Sequence, residues 1–138
     1  MYKNILVPMA LDHGVGENSV EIARRLLADG GQITALHVYE APQGSVSAYI
    51  DEGVVQNAFD RAQIRLQERV ASMPGVKALI VKGHSGRTII DTATELKSDC
   101  IVMGSHNPGL MDYFLGSTAA RVVQHAPCAV HVARDPKS

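Results

Sequence analysis

The sequence has no long hydrophobic run and almost no excess charge, and each shortage excludes a class of protein. No apolar stretch approaches the roughly 20 residues that a membrane-spanning helix needs. The net charge is −1 with histidine neutral, which gives no electrostatic reason for nucleic acid or a membrane surface as partner. The opening residues are not followed by the hydrophobic region of a signal peptide, so we expect a cytoplasmic protein.

Cysteine is also scarce, with two residues in the chain. Cys100 and Cys128 each lie in a short apolar strand candidate, which is typical of reduced core cysteines and not of a disulfide scaffold. The six histidines have no spacing that indicates a metal site. We therefore expect neither a disulfide nor a bound structural metal.

What is present is the composition of an ordinary globular domain. The chain has 138 residues, of which 46% are hydrophobic and 20% are charged. This length fits one domain, residues 1–138, and suffices to bury a substantial core.

Short apolar runs alternate with segments of helical periodicity. The runs at residues 4–8, 32–39, 76–81, 100–103 and 128–133 predict five strands. Alternating strands and helices predict an α/β fold with a parallel sheet covered on both faces, and right-handed crossovers make it doubly wound. Ligands of such sheets bind beyond the carboxyl ends of the strands, where the winding reverses direction.

Four helices are predicted between these strands. Gly30-Gly31 is expected to end the first, Ser85 to cap the third, and the fourth to run from Ser117 to His125. The residues whose spacing predicts burial are Val20, Ala23 and Leu27 in the first helix, Val55, Phe59, Ala62, Leu66 and Val70 in the second, Ile89, Ala93 and Leu96 in the third, and Ala119, Val122 and Val123 in the fourth.

Two groups of polar residues are interpreted as structural. Arg61, Arg65 and Arg69 lie on the charged side of the second helix, which indicates a solvated face. Asn18-Ser19 is interpreted as helix capping and not as part of a dinucleotide fingerprint, because only two of the three required glycines precede the helix.

The stretch from Asp99 to Thr118 carries the chemistry. Its apolar run stops at Gly104, which can take a backbone conformation barred to other residues and lets a ligand approach the main chain closely. Gly116, Ser117 and Thr118 would place free N–H groups and two hydroxyls at a helix N-terminus, which favours an anion such as phosphate. The same pattern also fits a tight turn followed by an ordinary N-cap, and both interpretations stay open.

These residues resemble the nucleotide loop of the universal stress proteins. In that family Gly, two residues, Gly, nine residues, Gly and Ser or Thr wrap the phosphates of ATP. Gly104 and Gly116-Ser117 match this pattern, whereas Asn107 stands at the second glycine and the loop is one residue shorter. Its Asn-Pro and Phe-Leu-Gly-Ser segments are more similar to a short-loop branch that still binds adenine nucleotides.

The resemblance extends over the whole chain. The opening residues 1–8, the His37-Val38 pair and the segment at residues 125–128 are all similar to the family. It implies a single open sheet of five parallel strands in the order 3-2-1-4-5, of the Rossmann-like or adenine nucleotide alpha hydrolase-like class. It also implies ATP or another adenine nucleotide as ligand, with or without Mg.

By the same resemblance, Val38 and Met103 flank the adenine and Pro8 borders the ribose. Ala10 stands where the family usually has an aspartate beside the nucleoside. The binding residues that the resemblance implies are Pro8, Ala10, Val38, Met103, Gly104, His106, Asn107, Gly116, Ser117 and Thr118.

The resemblance further implies a homodimer through strand five, from Cys128 to Ala133, and a regulatory or protective role in stress. His131 interrupts this strand, and both a place at the dimer interface and an exposed edge position stay open for it. Two alternatives stay open: a nucleotide-free dimerisation module of the same fold, and a slow ATP hydrolase. For catalysis the sequence offers little, because no carboxylate is placed to orient His106 beside Ser105 or Ser117 as a hydrolase triad requires.

Overall fold

A computed structural model describes residues 1–11, 17–40, 52–105 and 115–134. Its elements in chain order are β1 (Tyr2–Pro8), α1 (Glu17–Leu26), β2 (Leu27–Tyr39), α2 (Glu52–Ala71), β3 (Val76–Lys82), α3 (Ser85–Glu95), β4 (Cys100–Gly104), α4 (Ser117–His125) and β5 (Ala129–Ala133). Within these ranges no helix has the length and hydropathy that crossing a membrane requires.

The five strands form one parallel sheet in the order β3-β2-β1-β4-β5. This confirms the predicted fold class and strand order. The first strand lies at the centre, where Val7 pairs with Ala35 of β2 and Ile5 pairs with Cys100 of β4. The winding changes direction between β1 and β4, so the carboxyl ends of these two strands border the crevice where this fold binds ligands.

A separate hydrophobic cluster covers each face of the sheet, because successive side chains of a strand point to opposite faces. In β1, Ile5 and Val7 belong to the cluster beneath α1 and α2, whereas Leu6 belongs to the cluster beneath α3 and α4. All three are completely buried. The helices therefore lie on both faces, as the apolar runs predict.

The predicted boundary between the first helix and the second strand is wrong. The helix ends at Leu26, and Leu27 begins β2 by pairing with Tyr2 of β1. The register then shifts before Asn4, so the intervening residues of β2 are accommodated as an irregularity. Gly30, with a φ of 78°, therefore marks a bulge within a strand and not the end of a helix.

Two residues predicted to be buried are exposed. Leu96 is 36% exposed because α3 ends at Glu95 and Leu96 is only its C-cap. Val123 is 48% exposed because Val122 already occupies the buried side of α4, and the next residue is rotated by about 100°. In α2, Ala62, Leu66 and Val70 are buried as predicted, whereas Val55 and Phe59 are only half-buried.

Candidate functional site

A cavity of about 330 Å³ opens at the carboxyl edge of the sheet, where the reversal of winding predicts a ligand. This volume suits a small organic ligand. The predicted binding residues that line it are Pro8, Ala10, Val38, Met103, Gly104, Gly116, Ser117 and Thr118. The other two, His106 and Asn107, lie outside the described residues.

The fold brings three helix N-termini to this cavity, because each helix that follows a strand of a parallel sheet starts at the same edge. The first turn of α1 contributes Asn18 and Ser19, α3 contributes Ser85, and α4 contributes Ser117 and Thr118. Of these, only the residues of α4 are predicted as binding residues. The sequence does contain a signal for the residues of α1 and α3. Each of these polar residues lies in the first turn of a helix that follows a strand, and such turns lie at the carboxyl edge of the sheet.

The two ends of the loop between β4 and α4 are tied together. Ser105, directly after β4, donates its N–H to the carbonyl of Ala133 at 2.9 Å and accepts the N–H of Gly116 at 3.4 Å. The end of β4 and the start of α4 therefore lie side by side at the cavity.

Gly104 uses only one of the two properties that a glycine offers at this position. The glycines with positive φ in the described chain are Gly30, Gly75 and Gly83, so Gly104 does not take a conformation barred to other residues. However, a Cβ at Gly104 meets no atom within 4 Å. The missing side chain thus leaves open space at the cavity wall, which agrees with close approach of a ligand.

The N-terminus of α4 is suited to an anion. Its N-cap is Gly116, which has no side chain with which to cap the helix. The first intrahelical bond runs from the N–H of Ala120 to the carbonyl of Gly116 at 2.8 Å. The N–H groups of the first turn, with the hydroxyls of Ser117 and Thr118, therefore surround a position that the helix dipole makes favourable for negative charge.

The N-terminus of α3 is arranged differently, and the prediction that Ser85 caps it is wrong. Ser85 is the first helical residue, and its N-cap His84 makes no side-chain capping bond. Instead, the backbone N–H and the hydroxyl of Ser85 both donate to Oε1 of Glu40, each at 2.8 Å. These hydrogen bonds lower the pKa of Glu40. A carboxylate of the chain itself thus occupies the anion position at α3.

Part of the cavity lining is apolar. Val38 and Leu36 of β2, Met103 of β4 and Ile89 of α3 all line it, and Met103 is only 5% exposed. Apolar walls combined with a few polar groups are typical of sites for small organic ligands.

The loop after β1 forms another wall. Its Met9 donates the backbone N–H to the carbonyl of Leu36 at 2.8 Å, and the Met9 carbonyl lies 3.0 Å from Nδ1 of His37. Ala10 is exposed and lines the cavity, so this wall has a methyl group at the position where the resemblance implies an aspartate. His37 also lines the cavity. The resemblance names it only in the His37-Val38 pair and not as a binding residue.

The cysteines are not placed for chemistry at this site. Cys100 belongs to the core cluster on one face of the sheet, and Cys128 packs against the cluster on the other face. Both are free thiols. Burial raises the pKa of Cys100 to about 11, so this thiol stays protonated near neutral pH. Among residues 1–11, 17–40, 52–105 and 115–134, no three His, Cys, Asp or Glu side chains form a group that would hold a metal ion.

Comparison with known proteins identifies the family. The sequence matches the universal stress protein family over residues 1–134. It is 30% identical over 138 residues to a universal stress protein of Thermus aquaticus, with 97% of this chain and 100% of that protein covered. The solved structure of universal stress protein UspA from Lactobacillus plantarum is 29% identical, with a TM-score of 0.71, and covers 96% of this chain and 98% of that one.

A universal stress protein family protein from Arabidopsis thaliana, solved with AMP bound, shares the fold at 19% identity and a TM-score of 0.61, covering 97% of this chain and 92% of that one. The family match spans nearly the whole chain and includes every element from β1 to β5. The chain therefore belongs to the universal stress protein family.

Proposed function

We propose that this protein binds an adenine nucleotide in the cavity at the carboxyl edge of the sheet. The proposal further holds that it acts in the cytoplasm as a homodimeric regulatory or protective factor. The observation that carries the nucleotide proposal is the pairing of an apolar cavity wall with the uncapped N-terminus of α4 in one cavity. A flat base and a phosphate are the two ligand parts that such a cavity accommodates.

In this proposal the phosphate lies at α4. Backbone N–H groups and the hydroxyls of Ser117 and Thr118 would hold it, and Gly104 and Gly116 would allow it to approach the main chain. The AMP bound by the Arabidopsis relative supports an adenine nucleotide as the ligand. ATP is the larger candidate, and a magnesium ion would enter on its phosphates.

The nucleoside lies, on the same proposal, between the apolar walls. Val38 and Met103 would flank the adenine and Pro8 would border the ribose. Because Ala10 supplies no carboxylate for the sugar hydroxyls, the base and the phosphate would provide most of the affinity.

Calorimetric titration with AMP, Mg-ATP and GTP tests the proposal. We expect saturable binding of the adenine nucleotides near one per chain and no comparable binding of GTP. The matched variants are Gly104→Val and Ala78→Val. A side chain at Gly104 projects into open space, so the fold should persist while the cavity is blocked. Ala78 is exposed in β3, away from the cavity, and its variant should bind as the wild type does.

Three results would each change the proposal in a different way. If the wild-type protein gives no heat at millimolar nucleotide and releases none on denaturation, the nucleotide-free dimerisation module becomes the better description. If bound ATP is converted to ADP with turnover well above background, the slow ATP hydrolase becomes the better description. Equal binding by wild type and Gly104→Val would show that nucleotide binds outside this cavity.

A further inference from the structure

Two arginines of α2 hold the loop that forms one wall of the cavity. Nη1 of Arg69 donates to the carbonyl of Ala10 at 2.6 Å, and Nη2 of Arg65 donates to the carbonyl of Leu11 at 3.1 Å. These contacts correct the prediction that both arginines belong only to a solvated face. Ala10 lines the cavity, whereas neither arginine does. The two side chains therefore contact this wall without lining the cavity.

The carbonyl before these two is held from the other direction. His37 of β2 lies 3.0 Å from the Met9 carbonyl through its Nδ1, and the Met9 N–H is bonded to Leu36. Three consecutive carbonyls, those of Met9, Ala10 and Leu11, thus each lie within hydrogen-bond distance of a different side chain. Each of these contacts restrains the wall, because moving the loop would break a hydrogen bond.

The helix that carries the arginines is itself firmly placed. Arg65 and Arg69 are four residues apart and so share one side of α2. The neighbouring buried stripe contains Leu66, which is 1% exposed, and Val70, which is 7% exposed. Because these residues pack α2 onto the sheet, the backbone that carries Arg65 and Arg69 is held in place.

We propose that Arg65 and Arg69 are positioning residues of the nucleotide site. They keep the wall from Met9 to Leu11 in the position that contacts the nucleoside, without contacting the nucleotide themselves. They therefore set the affinity for the nucleoside part and leave the contribution of the phosphate at α4 unchanged. This inference rests on the proposed function, since it assumes that the cavity binds an adenine nucleotide.

Titration with two ligands, adenosine and AMP, tests the inference. The variants are Arg65→Ala, Arg69→Ala and the double variant, and the control is Arg61→Ala. Arg61 lies one turn earlier on α2 and is exposed, with no hydrogen bond or ion pair to another described residue. If the released wall is in its binding position about a tenth of the time, both ligands bind about tenfold more weakly to the double variant.

The ratio of the two affinities separates positioning from general disruption. In the arginine variants we expect adenosine and AMP to lose the same factor, so the ratio stays at its wild-type value. Ser117→Ala should instead weaken AMP and leave adenosine unchanged. Arg69→Lys should recover part of the loss, because an ammonium group can still donate one hydrogen bond to the Ala10 carbonyl. It also keeps the test decisive if the alanine variants fold poorly.

Amide hydrogen exchange without ligand provides an independent readout. We expect faster exchange at Met9, Ala10 and Leu11 in the double variant, and wild-type exchange there in Arg61→Ala. Wild-type affinity for adenosine in the double variant would overturn the inference while the proposed function stands. A changed ratio in the arginine variants would also overturn it. If the wild-type protein binds neither ligand, the proposed function fails and the inference fails with it.

Discussion

Asp99 and Asn4 hold each other by two reciprocal hydrogen bonds. The N–H of Asn4 donates to Oδ1 of Asp99 at 2.9 Å, and the N–H of Asp99 donates to the carbonyl of Asn4 at 3.0 Å. The second carboxylate oxygen accepts the N–H of Lys3 at 2.9 Å. One side chain just before β4 thus fastens the beginning of the central strand β1.

Replacing Asp99→Asn should destabilise the fold. An asparagine has one acceptor oxygen, so one of the two N–H groups loses its partner, and the remaining bond loses its charge. We expect a loss of about 1–2 kcal/mol in the free energy of unfolding, measured by urea denaturation at pH 7. Asp60→Asn, an exposed change on α2, is the control and should stay within about 0.5 kcal/mol of wild type. An unchanged midpoint in Asp99→Asn would contradict the expectation.

The same contact predicts how stability depends on pH. Burial alone would raise the pKa of Asp99, but the N–H groups of Lys3 and Asn4 outweigh it and hold the pKa below its ordinary value of 3.8. Because the pKa is lower in the folded state, the carboxylate of Asp99 contributes its full stabilisation above about pH 4, and this stabilisation is lost as the pH falls further. Between pH 4 and 2, Asp99→Asn should therefore lose less stability than wild type. Glu40 also has a lowered pKa and contributes to the same acid-induced loss of stability, so the stability of Glu40→Gln is measured over the same pH range.

How well the sequence predicts the fold depends on whether the signal is local. The bounds of α4, Ser117–His125, agree with the prediction, because a glycine and two hydroxyl residues stand directly before an apolar repeat. The end of α1 does not agree, because Leu27 fits the helical repeat as well as the strand. What decides its state is pairing with Tyr2, a contact that no local pattern contains.

The site shows the same division. Gly116, Ser117 and Thr118 stand in one short motif, so the sequence alone indicates an anion position. Asn18 and Ser85 reach the cavity only through the topology of the sheet. The bonds from Arg65 and Arg69 to the loop after β1 span 54 and 59 residues, and a helical wheel shows those arginines merely as part of a charged face.

Substitutions at two glycines distinguish the cost of backbone strain from the cost of steric overlap. Gly75 and Gly83 have φ values of 79° and 154°, both unfavourable for other residues. A Cβ at Gly75 meets nothing within 4 Å, whereas one at Gly83 overlaps the hydroxyl of Thr88. We expect Gly75→Ala to cost about 1 kcal/mol from strain alone and Gly83→Ala clearly more, as measured by thermal denaturation. Equal losses would contradict this, and Gly83→Ala with Thr88→Ala should recover part of the difference.

The close contact between α3 and α4 depends on Gly86. A Cβ there would lie 2.8 Å from Cδ and 3.3 Å from Cβ of Arg121, so the stem of that arginine lies against the glycine. Alanine favours a helix over glycine by about 1 kcal/mol, but here the arginine must move. Gly86→Ala should therefore be more favourable in an Arg121→Ala background than in wild type, by at least about 0.5 kcal/mol. A double-mutant cycle from urea midpoints measures this, and strict additivity would rule it out.

The dimer that we propose uses the edge strand β5, and its backbone provides a matched pair of variants. The carbonyl of Ala133 accepts a bond from Ser105, the residue after β4, so Ala133 and, by alternation, His131 direct their backbone groups towards β4. Val132 then directs its N–H outward, along the free edge of the described sheet. Proline lacks this N–H. Val132→Pro should therefore weaken dimerisation with a small cost to the monomer, whereas His131→Pro breaks the bond to β4 and should mainly lower the melting temperature.

Light scattering coupled to gel filtration, over a range of concentrations, distinguishes these effects. A wild-type protein that stays monomeric at high concentration would reject the dimer outright. If the wild type is dimeric and Val132→Pro remains so, the dimer forms through another surface. If pairing through β5 also depends on the exposed His131, His131→Val should change the dimerisation constant. An unchanged constant in this variant would leave the edge backbone as the source of pairing.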